Sequence, residues 1–207
     1  MSSQHLPRER VSISSPDPQH VREVQEEFLD RRRPVVFIGP MAAGKSYIGM
    51  HCARFYGYQF LDADQLITEQ YGSIPEIFDT LGEEYFRKVE SETIFQVLES
   101  PQYRNSIFSL GGGAPMSDQV AQKLKNECVI YLKVDADTVR PRILGNKTRP
   151  LLQGDPIQRW NEIFQLRKER YEQLANYTLD VRGSRPVSEI AAEVQQFILC
   201  TRGGVTA

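Results

Sequence analysis

Gly39–Ser46 reads Gly-Pro-Met-Ala-Ala-Gly-Lys-Ser and fits the pattern G-x-x-x-x-G-K-[ST] at every fixed position. Those residue types at that spacing suit a polyphosphate. The backbone N–H groups from Gly39 through Met41, Ala42, Ala43 and Gly44 can wrap phosphate oxygens, and a following helix turns its positive end toward them. Lys45 can reach the β- and γ-phosphates, and Ser46 would offer its hydroxyl to Mg²⁺. The competing reading is a plain glycine turn before a helix that carries Lys-Ser. The flanks argue against it. Pro34–Ile38 is a short apolar, β-branched run, as a buried parallel strand requires. After the loop, Ile48, Cys52 and Phe55 give an apolar helical face that Gly57 ends.

Other residues could work beside that loop. Asp62 and Asp64 close a second strand-like stretch, 57–64. Side chains two apart on a strand share a face, so one carboxylate could hold a metal-bound water while the other faces an acceptor hydroxyl. An Asp pair capping the helix at Gln65 is the alternative. Arg87 opens a helix that already carries Glu83 and Glu84 and gains nothing from the dipole there. It is either an anion ligand or a partner of Glu84 or Glu90 at i,i+3. Gly111-Gly112-Gly113 directly follows an apolar strand, where a ligand can approach the backbone closely; a simple turn is the other reading. Arg149 lies in a loop long enough to fold over a nucleotide and neutralise charge on a transferring phosphoryl group. Arg167 and Arg170 follow on a helix and offer planar forks for a carboxylate, against ion pairing with Glu162, Glu169 and Glu172.

These residues need a frame. Strands are predicted at 34–38, 57–64, 106–110, 128–132 and 178–181. Helices are predicted at 65–71, from Ser73 with Glu76 completing a capping box, at 82–98, 118–125, 137–144, 158–176 and 187–200. Pro141 confuses or kinks its helix. Strands alternating with helices, without internal repeats, argue for a parallel sheet covered on both faces, with the ligand site at the carboxyl ends of the strands. Gly39–Ser46, Asp62/Asp64 and Gly111–Gly113 all sit at such ends.

The bulk properties exclude little but are consistent. The chain of 207 residues suits one domain with a tail, and a formal charge of −2 gives no pull toward nucleic acid or membrane. Arg31-Arg32-Arg33 reads as a solvated linker. No stretch approaches the roughly eighteen apolar residues of a membrane span, and the N-terminus lacks a signal-like apolar core. Cys52, Cys128 and Cys200 have no metal or disulfide spacing and read as core thiols in a reducing compartment, with the cytoplasm as default. His5, His20 and His51 have no partner pattern. Residues 1–17 are polar and broken by proline, which predicts disorder, while Val21, Val24 and Phe28 allow a short helix over 19–32.

Taken in order, these motifs resemble the shikimate kinase family from about Val35 to Leu199. The pieces are Gly39–Ser46, Leu61–Asp64, Gly72–Phe78, Gly82-Glu83, Phe86–Glu90, Leu110–Gly113, Arg149–Leu152 and Arg167-x-x-x-Tyr171. The resemblance implies a three-layer α/β fold of the P-loop nucleoside-monophosphate-kinase type. In it a central five-stranded parallel sheet carries helices on both faces, a lid loop at about 145–157 and a small helical substrate-binding part at about 67–99. The kinase domain would span 34–200, after an N-terminal extension, 1–33, and before a flexible tail, 201–207. The implied reaction is ATP-dependent phosphorylation of shikimate at its 3-hydroxyl, in aromatic amino-acid biosynthesis, by a monomer that uses Mg²⁺. By position, Asp64 binds the acceptor hydroxyl and Asp62 acts on Mg²⁺ through water. Arg87 and Arg167 hold the substrate carboxylate, with Gly111, Gly112 and Gly113 alongside. Arg149 is the lid arginine, Arg142 lies against adenine, and Ser184 and Arg185 fall where the adenine pocket is lined. The chain departs from the family's usual Gly at Ala42, its usual Thr at Tyr47 and a frequent Pro at Glu169.

Three rivals are weaker. A kinase for another cyclic polyol would have less need of two carboxylate-binding arginines. A non-catalytic nucleotide-binding homologue has no chemical need for Lys45, Ser46, Asp62, Asp64 and Arg149 together. A GTPase would want an Asp two residues after Lys147, which Asn146-Lys147-Thr148 lacks.

Overall fold

The structure, a computed structural model, describes residues 33–145 and 155–203. Five strands form one parallel sheet: β1 (Val35–Ile38), β2 (Gln59–Asp62), β3 (Ser106–Ser109), β4 (Cys128–Lys133) and β5 (Tyr177–Asp180), in the order β2-β3-β1-β4-β5. Every residue of β1 is at most 1% exposed, as expected of a central strand covered on both faces. The order reverses at β1, and a parallel sheet opens a crevice at such a point.

Helix α1 (Lys45–Tyr56) follows β1, and α2 (Ala63–Tyr71) and α3 (Ile74–Glu99) follow β2. Then come α4 (Asp118–Leu124), α5 (Ala136–Leu144), α6 (Pro156–Leu174) and α7 (Val187–Gly203). Helix α1 packs on α7 and the β1–β3 side of the sheet, while α6 packs on α5 and β4. The main core runs through all five strands. A second, smaller apolar cluster, Ile67, Ile77, Phe86 and Val89, ties α2 to α3. Among the described residues no helix is long and apolar enough to cross a membrane.

Several local expectations change. Phe55 is 63% exposed rather than part of the apolar face of α1. The buried positions are Ile48, Gly49 and Cys52, and a Cβ on Gly49 would sit 2.5 Å from the Phe60 ring. Two helices merge across Gly82, whose φ of 83° breaks α3 without ending it. Ser73 precedes α3 but its side chain makes no capping bond, so the predicted box does not form; Pro75 in the first turn removes one donor it would have served. Pro141 is accommodated inside α5. Cys52 is buried, Cys128 half-buried and Cys200 exposed, so only the first is a core thiol. Arg33 pairs with the buried Glu127 at 3.7 Å instead of standing free in a linker. The predicted N-terminal disorder and helix, the lid and the end of the tail lie outside the described residues.

Candidate active site

One cleft of about 500 Å³ lies at the carboxyl ends of β1, β2 and β3. Its phosphate side is made by the turn from β1 into α1. Gly39 has φ 142°, and a Cβ there would come within 2.9 Å of the Leu132 carbonyl oxygen. Gly44 is left-handed and stands at the N-cap of α1 with no side-chain cap, so the first N–H groups of the helix are not claimed by a capping side chain. Lys45 Nζ donates to the carbonyls of Gly39 (2.9 Å) and Pro40 (3.1 Å), which holds the ammonium over the loop. From outside, Trp160 Nε1 donates to the Met41 carbonyl and Arg142 to that of Ala42, each at 2.9 Å. Ala42 has φ 65°, the one positive φ on a non-glycine among the described residues. The methyl is therefore carried in left-handed backbone, where a side chain costs about 1–2 kcal/mol.

Asp62 ends β2 and Asp64 stands in the first turn of α2. Strand alternation thus does not bring them together; the cap does. Asp62 Oδ1 accepts from the Asp64 N–H at 3.1 Å, and Asp62 Oδ2 accepts from Ser46 Oγ at 2.7 Å. One carboxylate thus caps α2 and also ties to the phosphate loop through Ser46. Asp64 opens on the cleft but is crowded by protein. That crowding, then repulsion from Asp62, raises its pKa above the ordinary 3.8, against the pull of Lys45 and Arg87.

The far side is built from side chains. Arg87 donates to Glu90 Oε2 at 2.7 Å and to Glu83 Oε1 at 3.2 Å, and its guanidinium lies 5.2 Å from the centroid of the Phe86 ring. Burial works against its charge, but the two glutamates outweigh that and raise its pKa. Glu90 is 2% exposed. Burial lifts its pKa, Arg87 opposes, and Asp64 adds repulsion. We take that repulsion as mutual and as falling on Glu90, the more buried of the two. The three glycines fit between these groups. A Cβ on Gly111 would lie 3.0 Å from both Asp64 Oδ1 and Glu90 Oε1, and one on Gly113 would lie 2.8 Å from an Arg87 nitrogen. Close approach, not backbone freedom, requires glycine here. Tyr171 donates its hydroxyl to the Gly112 carbonyl, and Arg167 lines the same cleft from α6.

Of the residues expected in the site, the cleft gathers Met41, Ala42, Gly44, Lys45, Ser46, Tyr47, Asp62, Asp64, Arg87, Gly111, Gly112, Gly113, Arg142 and Arg167. Gly39 and Ala43 do not line it, and Ala43 is buried. Ser184 and Arg185 do not line it: Arg185 is drawn to Glu193 at 2.6 Å and to the Asp180 carbonyl. Arg170 is spent on Asp118 at 2.9 Å. Arg149 lies outside the described residues. The sequence offers Glu90 only as a helix-surface partner of Arg87; its burial, and hence its place in the cleft lining, carries no local signal there. Ile74, Phe78 and Phe86 were likewise unassigned and give the cleft an apolar wall.

The family model "Shikimate kinase" matches residues 41–199. The chain belongs to the shikimate kinase family. It is 36% identical to a shikimate kinase of Rhodococcus jostii, over 79% of this chain and 94% of that protein. One from Xanthomonas axonopodis is 37% identical over 76% of this chain and 87% of its own length. Among solved structures it is similar to the Acinetobacter baumannii shikimate kinase in complex with shikimate. There the TM-score is 0.74 at 30% identity, covering 81% of this chain and 93% of that one. For the Aquifex aeolicus enzyme the TM-score is 0.67 at 28% identity, covering 81% and 96%.

Proposed function

We propose that this cleft carries out ATP-dependent phosphorylation of shikimate at its 3-hydroxyl, giving shikimate 3-phosphate and ADP, within aromatic amino-acid biosynthesis. The chain is an enzyme of the family, with ATP as co-substrate. The observation that carries the residue assignment is the position of Gly111–Gly113, with Asp64 and Glu90 at one end and Arg87 at the other, facing the Lys45 loop across one cleft.

Arg87 and Arg167 take the shikimate carboxylate; two guanidinium groups on one small anion give both charge and orientation. The Gly111–Gly113 backbone lets the ring lie close. Asp64 accepts the proton of the 3-hydroxyl as its oxygen bonds to the γ-phosphorus and the bond to the bridging oxygen of ADP breaks. Lys45 and the loop N–H groups hold the phosphates, with Tyr47 and Arg142 on the nucleotide side, and Arg149 is the lid arginine. Ser46 and Asp62, already hydrogen-bonded to each other, fit Mg²⁺. One hydroxyl with a carboxylate acting through water suits an ion that keeps most of its ligands as water and phosphate oxygen. Bound there, Mg²⁺ supplies charge neutralisation on the phosphates.

We assign 34–200 to one kinase domain with its substrate-binding part over about 67–99, a division supported by the separate apolar cluster of α2 and α3. We further propose a cytoplasmic monomer without nucleic-acid or membrane partners. The test is ADP release with ATP, Mg²⁺ and either shikimate or shikimate lacking its carboxylate. Turnover with shikimate and little with the analogue is expected. Equal turnover would make the protein a general polyol kinase and remove the arginine clamp.

A further inference from the structure

Two successive carbonyls of the phosphate loop are held by side chains from outside it. Trp160, near the start of α6, donates its indole N–H to the Met41 carbonyl, and Arg142, in the last turn of α5, donates to the Ala42 carbonyl, each at 2.9 Å. The first carbonyl belongs to the peptide before the Ala42 Cα and the second to the peptide after it. Each peptide is a rigid plane, so pinning both fixes the φ and ψ between them. Those angles hold Ala42 at φ 65°, in left-handed backbone that an unconstrained alanine avoids. Such a conformation persists only where its surroundings over-determine it.

The two donors are unequal. Arg142 is exposed, and its long side chain can turn to other partners. Trp160 is 2% exposed and stacks on Phe164 at 4.9 Å between ring centroids, so its ring is fixed and its single polar group has one use. A trans peptide carries its N–H opposite its carbonyl. With the Met41 carbonyl turned to Trp160, the Ala42 N–H therefore points away from the indole. That N–H makes no backbone hydrogen bond among the described residues, and Ala42 lines the cleft. The next N–H, of Ala43, is taken by the Pro40 carbonyl at 3.3 Å.

We infer that Trp160 is a positioning residue for nucleotide binding: its indole N–H holds the strained Ala42 in a backbone shape that leaves the Ala42 N–H free for a phosphate oxygen. The inference rests on the reading of this loop as the ATP site. Trp160 itself does not line the cleft, so it acts through the loop and not on the ligand. A purely structural Trp160 would only fill the space beside Phe164 and give its N–H to the nearest carbonyl, with the loop shaped by its glycines alone.

Trp160 is the sole tryptophan of the chain, so a tryptophan analogue alters this side chain alone. Benzothienylalanine keeps the outline of the indole and puts sulfur where the N–H stood. The protein carrying it should keep its Tm within about 4 °C of wild type. Its ADP affinity, read by calorimetry, should fall roughly tenfold through the lost buried bond and the relaxed loop. KM for ATP should rise in parallel, with kcat at saturating ATP within about twofold of wild type. Trp160→Phe should weaken ADP at least as much, with a larger fall in Tm from the smaller ring. In the Ala42→Gly background left-handed backbone is unstrained, and there the analogue should weaken ADP less than about threefold. Wild-type ADP affinity in the benzothienylalanine protein would overturn the inference and leave Trp160 as packing. So would an equal tenfold loss in the Ala42→Gly background, since strain at residue 42 would then play no part. Failure of the unaltered protein to bind ADP would instead strike the reading of the loop, and the inference with it.

Discussion

On the phosphate side of the cleft most of the groups facing the ligand belong to the main chain, whereas on the far side they are side chains from α2, α3 and α6. The loop from Gly39 to Gly44 is held by geometry: glycines at positive φ, an uncapped helix start, and outside donors from Trp160 and Arg142 on its carbonyls. The far side is held by charge. Glu90 is buried at a cost, Arg87 is fixed between Glu90 and Glu83, and Asp64 stands nearby with its proton affinity raised. A main-chain site is specified by which residues are absent, chiefly side chains at glycine positions. A side-chain site is specified by partners distant in sequence, and a change in one partner disturbs the others. Substitutions on the far side should therefore act on turnover and shikimate affinity, and those in the loop on stability.

Asp64→Asn tests the far side at its strongest point. It keeps size and hydrogen bonding but cannot accept the proton, so kcat should fall about 10³-fold while ADP affinity stays near wild type. With Asp64 as the proposed proton acceptor, wild-type kcat/KM should also show an acid limb above the ordinary Asp range, since its pKa is raised. That limb should be absent from the residual activity of the variant. An unchanged kcat would move the proton acceptor elsewhere.

Gly113→Ala asks whether the glycine run serves space. The added methyl would meet the Arg87 guanidinium at 2.8 Å, the mobile end of a long side chain, so the fold should tolerate it. The displaced fork should lower shikimate affinity roughly tenfold with Tm almost unmoved, as for a lost charge-assisted contact. A large drop in Tm with unaltered affinity would make the glycines structural.

Glu90→Gln separates stability from function. The folded-state pKa of Glu90 is raised above 4.5, so folding disfavours its ionised form. Its unfavourable contribution is absent at low pH, where the carboxyl is protonated in both states, and develops as pH rises from the unfolded value through the folded one. The neutral amide escapes this. The variant should match wild type in Tm at low pH and exceed it by about 2 °C at neutral pH, read by thermal unfolding across that range. Shikimate affinity should fall a few-fold because Arg87 keeps only Glu83 as a charged partner. A lower Tm at neutral pH would show that attraction to Arg87 outweighs burial.

The same division explains what was legible in the sequence. The strands and the phosphate loop were readable because their signals are local: an apolar run, then fixed glycines and Lys-Ser. Asp62, Asp64, Arg87 and Arg167 were identifiable as candidates, but their residue types left capping and surface ion pairing open. In the structure Asp62 caps α2 while accepting from Ser46, and Arg87 pairs with Glu83 as well as Glu90. Phe55 was misplaced because helical spacing names a face without saying which apolar residues the core needs; Gly49 takes that role under the Phe60 ring. Arg185 is paired with Glu193 on α7, a contact that spacing alone does not reveal. The long-range bonds from Trp160 and Tyr171 had no local signal either.

The smallest effect belongs to the loop. Ala42→Gly removes a methyl from backbone at φ 65° and relieves about 1 kcal/mol of left-handed strain. Glycine also enlarges the freedom of the unfolded chain, which takes back roughly 0.5 kcal/mol. The net gain should be about 0.5 kcal/mol, a rise in Tm of about 1–2 °C. ADP affinity should change less than about threefold, because the Arg142 bond to the residue 42 carbonyl does not involve the methyl. If the variant instead loses ADP affinity with no gain in Tm, the methyl is helping to hold the loop in its binding shape. The phosphate side would then depend on a side chain after all, and the contrast between the two sides of the cleft would narrow to one of degree.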